Sequence, residues 1–230
     1  MDVRVRVFKT ERRLRRHAVK FLKNEFRQES ENGAAKAVML SGGSTPLAIY
    51  KSLRRGFARS AESLRLFLSD ERVVSYDSPD SNTGKIQPMF NKLKLKPGQV
   101  LNVDTALDTD EAANVFHHDL AREIELGMTI PVGLLGMGAD GHTAGIFTNE
   151  LAADETPSYA VAVDRADGLK GVTVTPALLH RVKKIIFIVV GESKKDMLTT
   201  LLNDPLTIPA GIALQGHPDV EIWTDQQVEK

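Results

Sequence analysis

Short apolar runs alternate along this chain with longer stretches in which apolar residues recur every three or four positions. The apolar runs predict buried strands at residues 34–40, 64–68, 100–103, 130–135, 184–190 and 220–224. Val3, Val5 and Val7 alternate with polar residues, which predicts a half-buried strand at a sheet edge. Helical spacing predicts helices over residues 11–30, 47–53, 109–124, 176–181 and 197–202, with Gly33 stopping the first.

Strands and helices that alternate in this way are typical of an α/β fold. We therefore expect a mainly parallel twisted sheet with helices on both faces, Rossmann-like in architecture. The 230 residues can bury one large core, so a single domain over residues 1–230 is the simplest organisation. The polar stretch at residues 76–84 predicts a long loop.

A glycine-rich segment, Leu-Gly-Met-Gly-Ala-Asp-Gly-His-Thr at residues 135–143, follows one of the predicted strands. Ligands of open α/β sheets bind at the ends of strands, so this segment is a candidate site. Its glycines at 136, 138 and 141 allow positive φ and expose N–H groups. Asp140 supplies a negative charge and His142 a base that works near neutral pH. Taken alone, the segment fits a tight turn with a structural histidine equally well.

The same glycines also fit the G-x-G-x-x-G fingerprint of dinucleotide-binding proteins, with Asp164 following downstream. Asp140, however, would place a carboxylate among the N–H groups meant for a pyrophosphate. The residues at 142–149 also lack the apolar periodicity of the helix that should follow. Nucleotide binding is therefore disfavoured.

A second glycine turn, Ser41-Gly42-Gly43-Ser44-Thr45-Pro46, leads from the predicted strand 34–40 into a helix. Pro46 fits the first helical turn, with Ser44 or Thr45 as the N-cap. Unpaired N–H groups and the positive end of the helix dipole make such a turn an anion cradle. Because the Lys of a Walker A loop is absent, we expect a simple phosphate ester there, although an ordinary capped helix is the alternative.

Two further strand ends carry charged residues. Asp70, Glu71 and Arg72 follow the predicted strand 64–68, and Lys194 follows the strand 184–190. In a parallel sheet all four ends share one edge. The phosphate cradle, Arg72, Lys194 and the Asp140/His142 pair could therefore face a common cleft.

Composition excludes several classes of function. Thirty Lys and Arg balance thirty Asp and Glu, so no overall field draws the protein to nucleic acid or an anionic membrane. The absence of cysteine excludes disulfides, a thiolate nucleophile and Cys-ligated zinc. No apolar run approaches the roughly 20 residues of a membrane span, and the charged N-terminus leads into no signal-peptide core. We expect a cytoplasmic protein.

Five motifs together resemble the 6-phosphogluconolactonase family, within the superfamily of glucosamine-6-phosphate deaminase and ribose-5-phosphate isomerase. They span about residues 34–225 and comprise Ser41-Gly-Gly-Ser-Thr-Pro46, Asp70-Glu71-Arg72-Val73, Ser81-Asn82, residues 135–144 and Gly191-x-x-Lys194. Deaminases of this superfamily usually carry a Tyr after the Asp-Glu pair, so Arg72 favours the lactonases.

The chain departs from the family pattern at two places. Lactonases generally have an Arg just before the Thr-rich segment that here reads Gly171-Val-Thr-Val-Thr175, and Lys170 is the nearest cation in sequence. The usual Ala-Ser-Leu-Phe-Pro ending of the His motif reads Ala144-Gly-Ile-Phe-Thr148. The first departure affects the expected phosphate ligands, and the second the shape of a loop.

The resemblance implies hydrolysis of 6-phospho-D-glucono-1,5-lactone, a small-molecule sugar phosphate lactone, by a monomer or homodimer without metal or cofactor. His142 would act as the base, Asp140 would orient it, and Arg72 would stabilise the oxyanion or bind phosphate. The remaining predicted ligands of substrate or phosphate are Ser41, Gly42, Gly43, Ser44, Thr45, Asp70, Gly138 and Lys194.

Two other functions are compatible with these residues. A sugar-phosphate deaminase or isomerase needs a base for proton transfer between C1 and C2, and Asp70 or Glu71 could serve. A non-catalytic sugar-phosphate sensing domain would keep the anion cradle without needing His142. The absence of any DNA-binding appendage speaks against the sensor.

Overall fold

The structure, a computed structural model, describes residues 3–30, 33–53 and 60–228. Within these ranges the strands are β1 (Val3–Val7), β2 (Lys36–Leu40), β3 (Leu64–Leu68), β4 (Asp70–Arg72), β5 (Val100–Leu101), β6 (Thr129–Leu135), β7 (Ala160–Asp164), β8 (Lys170–Val174), β9 (Ile185–Val189) and β10 (Val220–Thr224). Seven of them form one sheet in the order β1-β10-β9-β6-β2-β3-β5. Every pairing in it is parallel, so the predicted parallel α/β fold is confirmed.

The helices connect these strands and pack on both faces of the sheet. They are α1 (Glu11–Arg27), α2 (Ser44–Leu53), α3 (Asn82–Leu93), α4 (Thr109–Glu125), α5 (Asn149–Ala152), α6 (Pro176–Leu179), α7 (Lys195–Asn203) and α8 (Pro209–Ala213), with 3₁₀ turns at Glu192–Lys194 and Pro205–Thr207. Among the described residues, none of these helices has the length and apolar character that a bilayer crossing requires.

The alternating strand positions divide the core into two layers. In β2, Val38 and Leu40 pack in the layer that holds the buried faces of α1, α2 and α3. Ala37 and Met39 point to the opposite layer, which holds residues of α4, α6, α7 and α8. Because both sides are covered by helices, the central strands read as continuous apolar runs.

The strand order places β9, β6, β2 and β3 side by side in the middle of the sheet. Leu40 at the end of β2 pairs with Leu68 at the end of β3, and Leu135 at the end of β6 pairs with Phe187 of β9. The four strand ends predicted to carry chemistry are therefore neighbours along one edge.

A small antiparallel sheet, β4-β8-β7, was not predicted. The chain turns out of β3 directly into β4, where Arg72 pairs with Gly171 of β8. Val163 of β7 pairs with the same glycine from the other side. The charged residues after β3 thus form a three-residue edge strand, which is too short for periodicity to reveal.

Several predicted boundaries shift by one to three residues, and two of these shifts have a clear physical cause. Helix α1 ends at Arg27 instead of residue 30, because the carboxylate of Glu29 accepts hydrogen bonds from the N–H groups of Glu62 and Ser63 and draws the chain toward β3. The predicted loop 76–84 ends early, since α3 begins at Asn82 with Ser81 as its N-cap. Gly84 and Pro88 inside α3 lower its helix propensity, which concealed it.

Candidate active site

A cavity of about 160 Å³ opens at the shared edge of β2, β3 and β6. We call it the cleft. Its walls are formed by Ser41, Gly42, Gly43, Asp70, Arg72, Asn82, Gly136, Met137, Gly138, His142, Ala144 and Arg165. Residues from three predicted strand ends therefore meet here, joined by Asn82 from the start of α3 and by Arg165 from the turn between β7 and β8.

Asp140 and His142 form a hydrogen-bonded pair at the rim of the cleft. Nδ1 of His142 lies 2.5 Å from Oδ1 of Asp140, and the backbone N–H of His142 donates to the same oxygen at 3.3 Å. Burial alone would raise the pKa of Asp140, but the charge and hydrogen bonds of His142 outweigh it and lower that pKa. The ionised carboxylate can only accept, so Nδ1 carries the proton and Nε2 is left as the basic nitrogen for the cleft.

Gly138 makes room for this pair. A Cβ at residue 138 would lie 2.2 Å from Nδ1 of His142 and 2.3 Å from Oδ1 of Asp140, so a side chain there would force these two groups to move. The turn is closed by a 2.8 Å hydrogen bond from the Gly138 N–H to the His142 carbonyl. Of the three glycines expected to use positive φ, only Gly141 does so, at 82°. Gly138 is needed for a different reason: the side chains of Asp140 and His142 lie close to its backbone, where a Cβ would stand.

The Ser41–Thr45 turn presents unpaired donors. Among the described residues, the N–H groups of Gly42, Gly43, Ser44 and Thr45 make no hydrogen bond, and the buried Oγ of Ser41 has no partner. Helix α2 begins at Ser44, and the Gly43 carbonyl accepts from Leu47 N–H at 3.1 Å. Gly43, with φ of 92°, thus takes the capping position predicted for Ser44 or Thr45. Ser41, Gly42 and Gly43 line the cleft, whereas Ser44 and Thr45, in the first helical turn, are not part of its wall.

Arg72 and Asp70 are held by Asn82. Nη1 of Arg72 donates to the Asn82 Oδ1 at 3.1 Å and to the Asp80 carbonyl at 2.8 Å. The Nδ2 of Asn82 donates to Asp70 Oδ2 at 3.2 Å. Nε of Arg72 is buried and has no hydrogen-bond partner in the part of the chain that the structure describes. Arg72 itself is part of the cleft wall.

Glu71 has a structural role that the sequence did not reveal. Its side chain is buried and accepts hydrogen bonds from the N–H groups of Arg72, Asn82 and Thr83 at 2.7, 2.7 and 2.6 Å. The carboxylate therefore caps α3 and locks β4 to it. Glu71 does not line the cleft, so of the Asp-Glu pair only Asp70 is placed to meet a ligand.

Two cations lie differently from the expectation. Lys194 ends the 3₁₀ turn after β9 and is not part of the cleft wall. Arg165, which sequence reasoning missed, is part of it. No motif marks Arg165, because it reaches the cleft only through the hairpin of β7 and β8.

The cleft wall contributes one imidazole and one carboxylate, those of His142 and Asp70. Across residues 3–30, 33–53 and 60–228, no three His, Asp or Glu side chains form a group that could hold a metal ion. What the wall does offer is a base together with several free donors for an anion. This arrangement suits acid–base chemistry on an anionic substrate.

Comparisons with known proteins cover nearly the whole chain. The family model described as glucosamine-6-phosphate isomerases/6-phosphogluconolactonase matches residues 9–223. A 6-phosphogluconolactonase of Haemophilus influenzae is 31% identical over 199 residues, covering 82% of this chain and 83% of the relative. One from Synechocystis is 32% identical over 199 residues, covering 83% and 82%. The crystal structure of 6-phosphogluconolactonase from Thermotoga maritima matches with a TM-score of 0.81 at 26% identity, covering 97% of this chain and 99% of that one.

Gly138→Ala should separate Asp140 from His142, because the new methyl group would occupy the space between their side chains. Without the charge and hydrogen bonds of His142, the lowered pKa of Asp140 should return toward the ordinary carboxyl value. A carbon-detected NMR titration of the Asp140 carboxyl group measures this directly.

Gly136→Ala is the matched control, since a Cβ there would meet no atom within 4 Å. Its Asp140 titration should follow the wild type. An unchanged Asp140 titration in Gly138→Ala, with the fold intact, would show that the pair does not depend on this glycine.

Proposed function

The chain belongs to the family of glucosamine-6-phosphate isomerases and 6-phosphogluconolactonases, and on that premise we propose that it hydrolyses 6-phospho-D-glucono-1,5-lactone to 6-phospho-D-gluconate. This reaction is a step of the oxidative pentose phosphate pathway. The observation that carries the proposal is the Asp140–His142 pair, whose imidazole lines a cleft with unpaired anion-binding donors. The cytoplasmic location and the monomeric or homodimeric state expected from the sequence stay predictions.

A lactone carbonyl is already electrophilic, so a positioned water, a base and an oxyanion partner suffice. Nε2 of His142 takes a proton from the water as its oxygen bonds to C1 of the lactone. The bond between C1 and the ring oxygen then breaks, and the imidazolium returns the proton to that oxygen. The ionised Asp140 stabilises the imidazolium between the two transfers, as expected from its lowered pKa.

The donors around the cleft divide between the oxyanion and the 6-phosphate in this proposal. The buried Nε of Arg72 can stabilise the oxyanion or bind phosphate. The turn from Ser41 to Thr45 holds the 6-phosphate, with Lys194 as a further phosphate ligand that approaches from outside the cleft wall, while Asp70 and Gly138 complete the substrate site. Binding energy at the phosphate then orients C1 toward His142.

Deamination or isomerisation of a sugar phosphate is the second candidate, because the family includes such enzymes and Asp70 lines the cleft. Asp70 is engaged by Asn82 and Ser69, however, and Glu71 is committed to α3. A sensing domain would not require an oriented Asp–His pair. The geometry therefore favours the lactonase over both alternatives.

Purified protein should be assayed for acid release from freshly prepared 6-phosphogluconolactone and for ammonia release from glucosamine 6-phosphate. We expect a hydrolysis rate well above the spontaneous rate and no ammonia. Ammonia release without accelerated lactone hydrolysis would overturn the proposal in favour of the deaminase.

His142→Ala should lower kcat by about 10²- to 10⁴-fold, the usual effect of removing a general base. Binding of 6-phosphogluconate should persist, since the phosphate donors are untouched. Steady-state kinetics with calorimetric binding measures both. The control is His118→Ala, an exposed histidine of α4 that should keep wild-type kinetics. A kcat near the wild-type value in His142→Ala would contradict the mechanism.

The pH profile should show a loss of kcat/KM on acidification between about pH 8 and 5, the range in which imidazoles take up a proton. Asp140 cannot cause this loss, because its lowered pKa keeps it ionised at these pH values. The unphosphorylated gluconolactone should show the same loss of kcat/KM. This result would exclude titration of the substrate phosphate as the cause of the loss. A flat profile for both lactones would rule out a neutral histidine as the base.

Lys194→Ala should raise KM for the phosphorylated lactone by about 10- to 150-fold, the equivalent of a charged hydrogen bond of about 1.5 to 3 kcal/mol. Gluconolactone, which lacks the phosphate, should respond far less. Lys183→Ala is the matched control, an exposed lysine before the amino end of β9. Equal impairment of both lactones would remove Lys194 from the phosphate site.

A further inference from the structure

Arg165 holds a guanidinium in the wall of the cleft, although it lies outside every motif in the chain. Its side chain is only 12% exposed. We propose that Arg165 binds the anionic group of the substrate together with Arg72, an inference that rests on the proposed function. Arg165 reaches the cleft from the turn between β7 and β8, and Arg72 reaches it from β4 of the same small sheet.

Gly171 provides the path by which Arg165 reaches the cleft. It lies in β8, paired with Arg72 of β4 on one side and Val163 of β7 on the other. A Cβ at residue 171 would lie 2.9 Å from the Glu71 carbonyl oxygen and 3.4 Å from Cδ of Arg165. The stem of Arg165 therefore lies against the place where a side chain of residue 171 would begin. An arginine supplied from the hairpin turn occupies the position that a bulky residue in β8 would otherwise fill.

The guanidinium is oriented by two neighbours. Its Nε and Nη2 donate to the carboxylate of Asp167 at 3.2 and 2.9 Å. Its Cζ lies 5.2 Å from the centre of the Phe147 ring, and that ring makes an edge contact with His142 at 4.9 Å between centroids. Nη1 has no hydrogen-bond partner among the described residues, so one edge of the fork is left for a ligand.

The surroundings of the Asp167 carboxylate favour a negative charge. Hydrogen bonding from Arg165 is the main cause that lowers the pKa of Asp167, and the charge of Arg72 adds to it. Two arginines thus act on one carboxylate that is about half exposed. A planar guanidinium can bind a phosphate in the bidentate manner in which it binds a carboxylate.

A purely structural role for Arg165 makes a different prediction. The turn also has backbone hydrogen bonds from Arg165 N–H to the Leu169 carbonyl and from Gly168 N–H to the Arg165 carbonyl, both 3.0 Å. If the ion pair with Asp167 only closed this turn, removing either partner would have the same effect. If Arg165 binds substrate, removing Asp167 should leave the arginine available.

The test compares Arg165→Gln with Asp167→Asn and with Lys170→Gln, a matched control at the exposed first residue of β8. Each is measured by calorimetric binding of 6-phosphogluconate and by KM and kcat for both lactones. Arg165→Gln should weaken binding and raise KM for the phosphorylated lactone by about 10- to 100-fold, with a much smaller change in kcat. Asp167→Asn should bind 6-phosphogluconate at least as tightly as the wild type, and Lys170→Gln should not differ from it.

Arg165→Lys adds a graded check, because it keeps the charge but loses the fork, and its affinity should fall between those of the wild type and Arg165→Gln. Wild-type affinity in a folded Arg165→Gln would overturn the inference, as would equal losses in Arg165→Gln and Asp167→Asn. Either result leaves lactone hydrolysis by the wild type standing. Conversely, a wild-type protein that binds 6-phosphogluconate through Arg165 without hydrolysing the lactone would sustain this inference while refuting the proposed function.

Discussion

Parallel pairing of the four central strands is the constraint on which the cleft depends. Because β9, β6, β2 and β3 run in one direction side by side, every segment that leaves their carboxyl ends emerges at the same edge. The chain separates Ser41 from His142 by about a hundred residues, yet both line one cavity. An antiparallel neighbour among these strands would send one of the segments to the opposite edge and leave the cleft without a wall.

Hydrogen bonds then fix the segments relative to one another. The buried carboxylate of Glu71 joins β4 to the start of α3, and Asn82 at that start joins Arg72 to Asp70. The turn after β2 packs against the same asparagine, since a Cβ on Gly42 would lie 2.4 Å from the Asn82 Oδ1. The N–H donors of the turn after β2 and the strand β4, which carries Arg72, are thus held as one unit. His142 is fixed separately through Asp140 and Gly138, which keeps the base oriented independently of the phosphate donors.

The sequence was informative where one segment contains both the pattern and the chemistry. Continuous apolar runs located the central strands, and the glycine-rich segment after one of them singled out Asp140 and His142, which the structure shows as a hydrogen-bonded pair. It was uninformative where function arises between distant segments. Glu71 acts through backbone N–H groups of α3, a helix that Gly84 and Pro88 concealed. Arg165 reaches the cleft only because β8 pairs with β4 and β7, and no local pattern encodes that pairing.

In the proposed mechanism one cleft holds the lactone carbon at His142 and the phosphate at the arginines and the Ser41 turn. A crystal structure of the protein with 6-phosphogluconate would show both contacts. The C1 carboxylate should lie within hydrogen-bond distance, about 3 Å, of Nε2 of His142, with the phosphate at the opposite end of the cleft. A product bound with its phosphate at His142, or bound outside the cleft, would refute this mechanism.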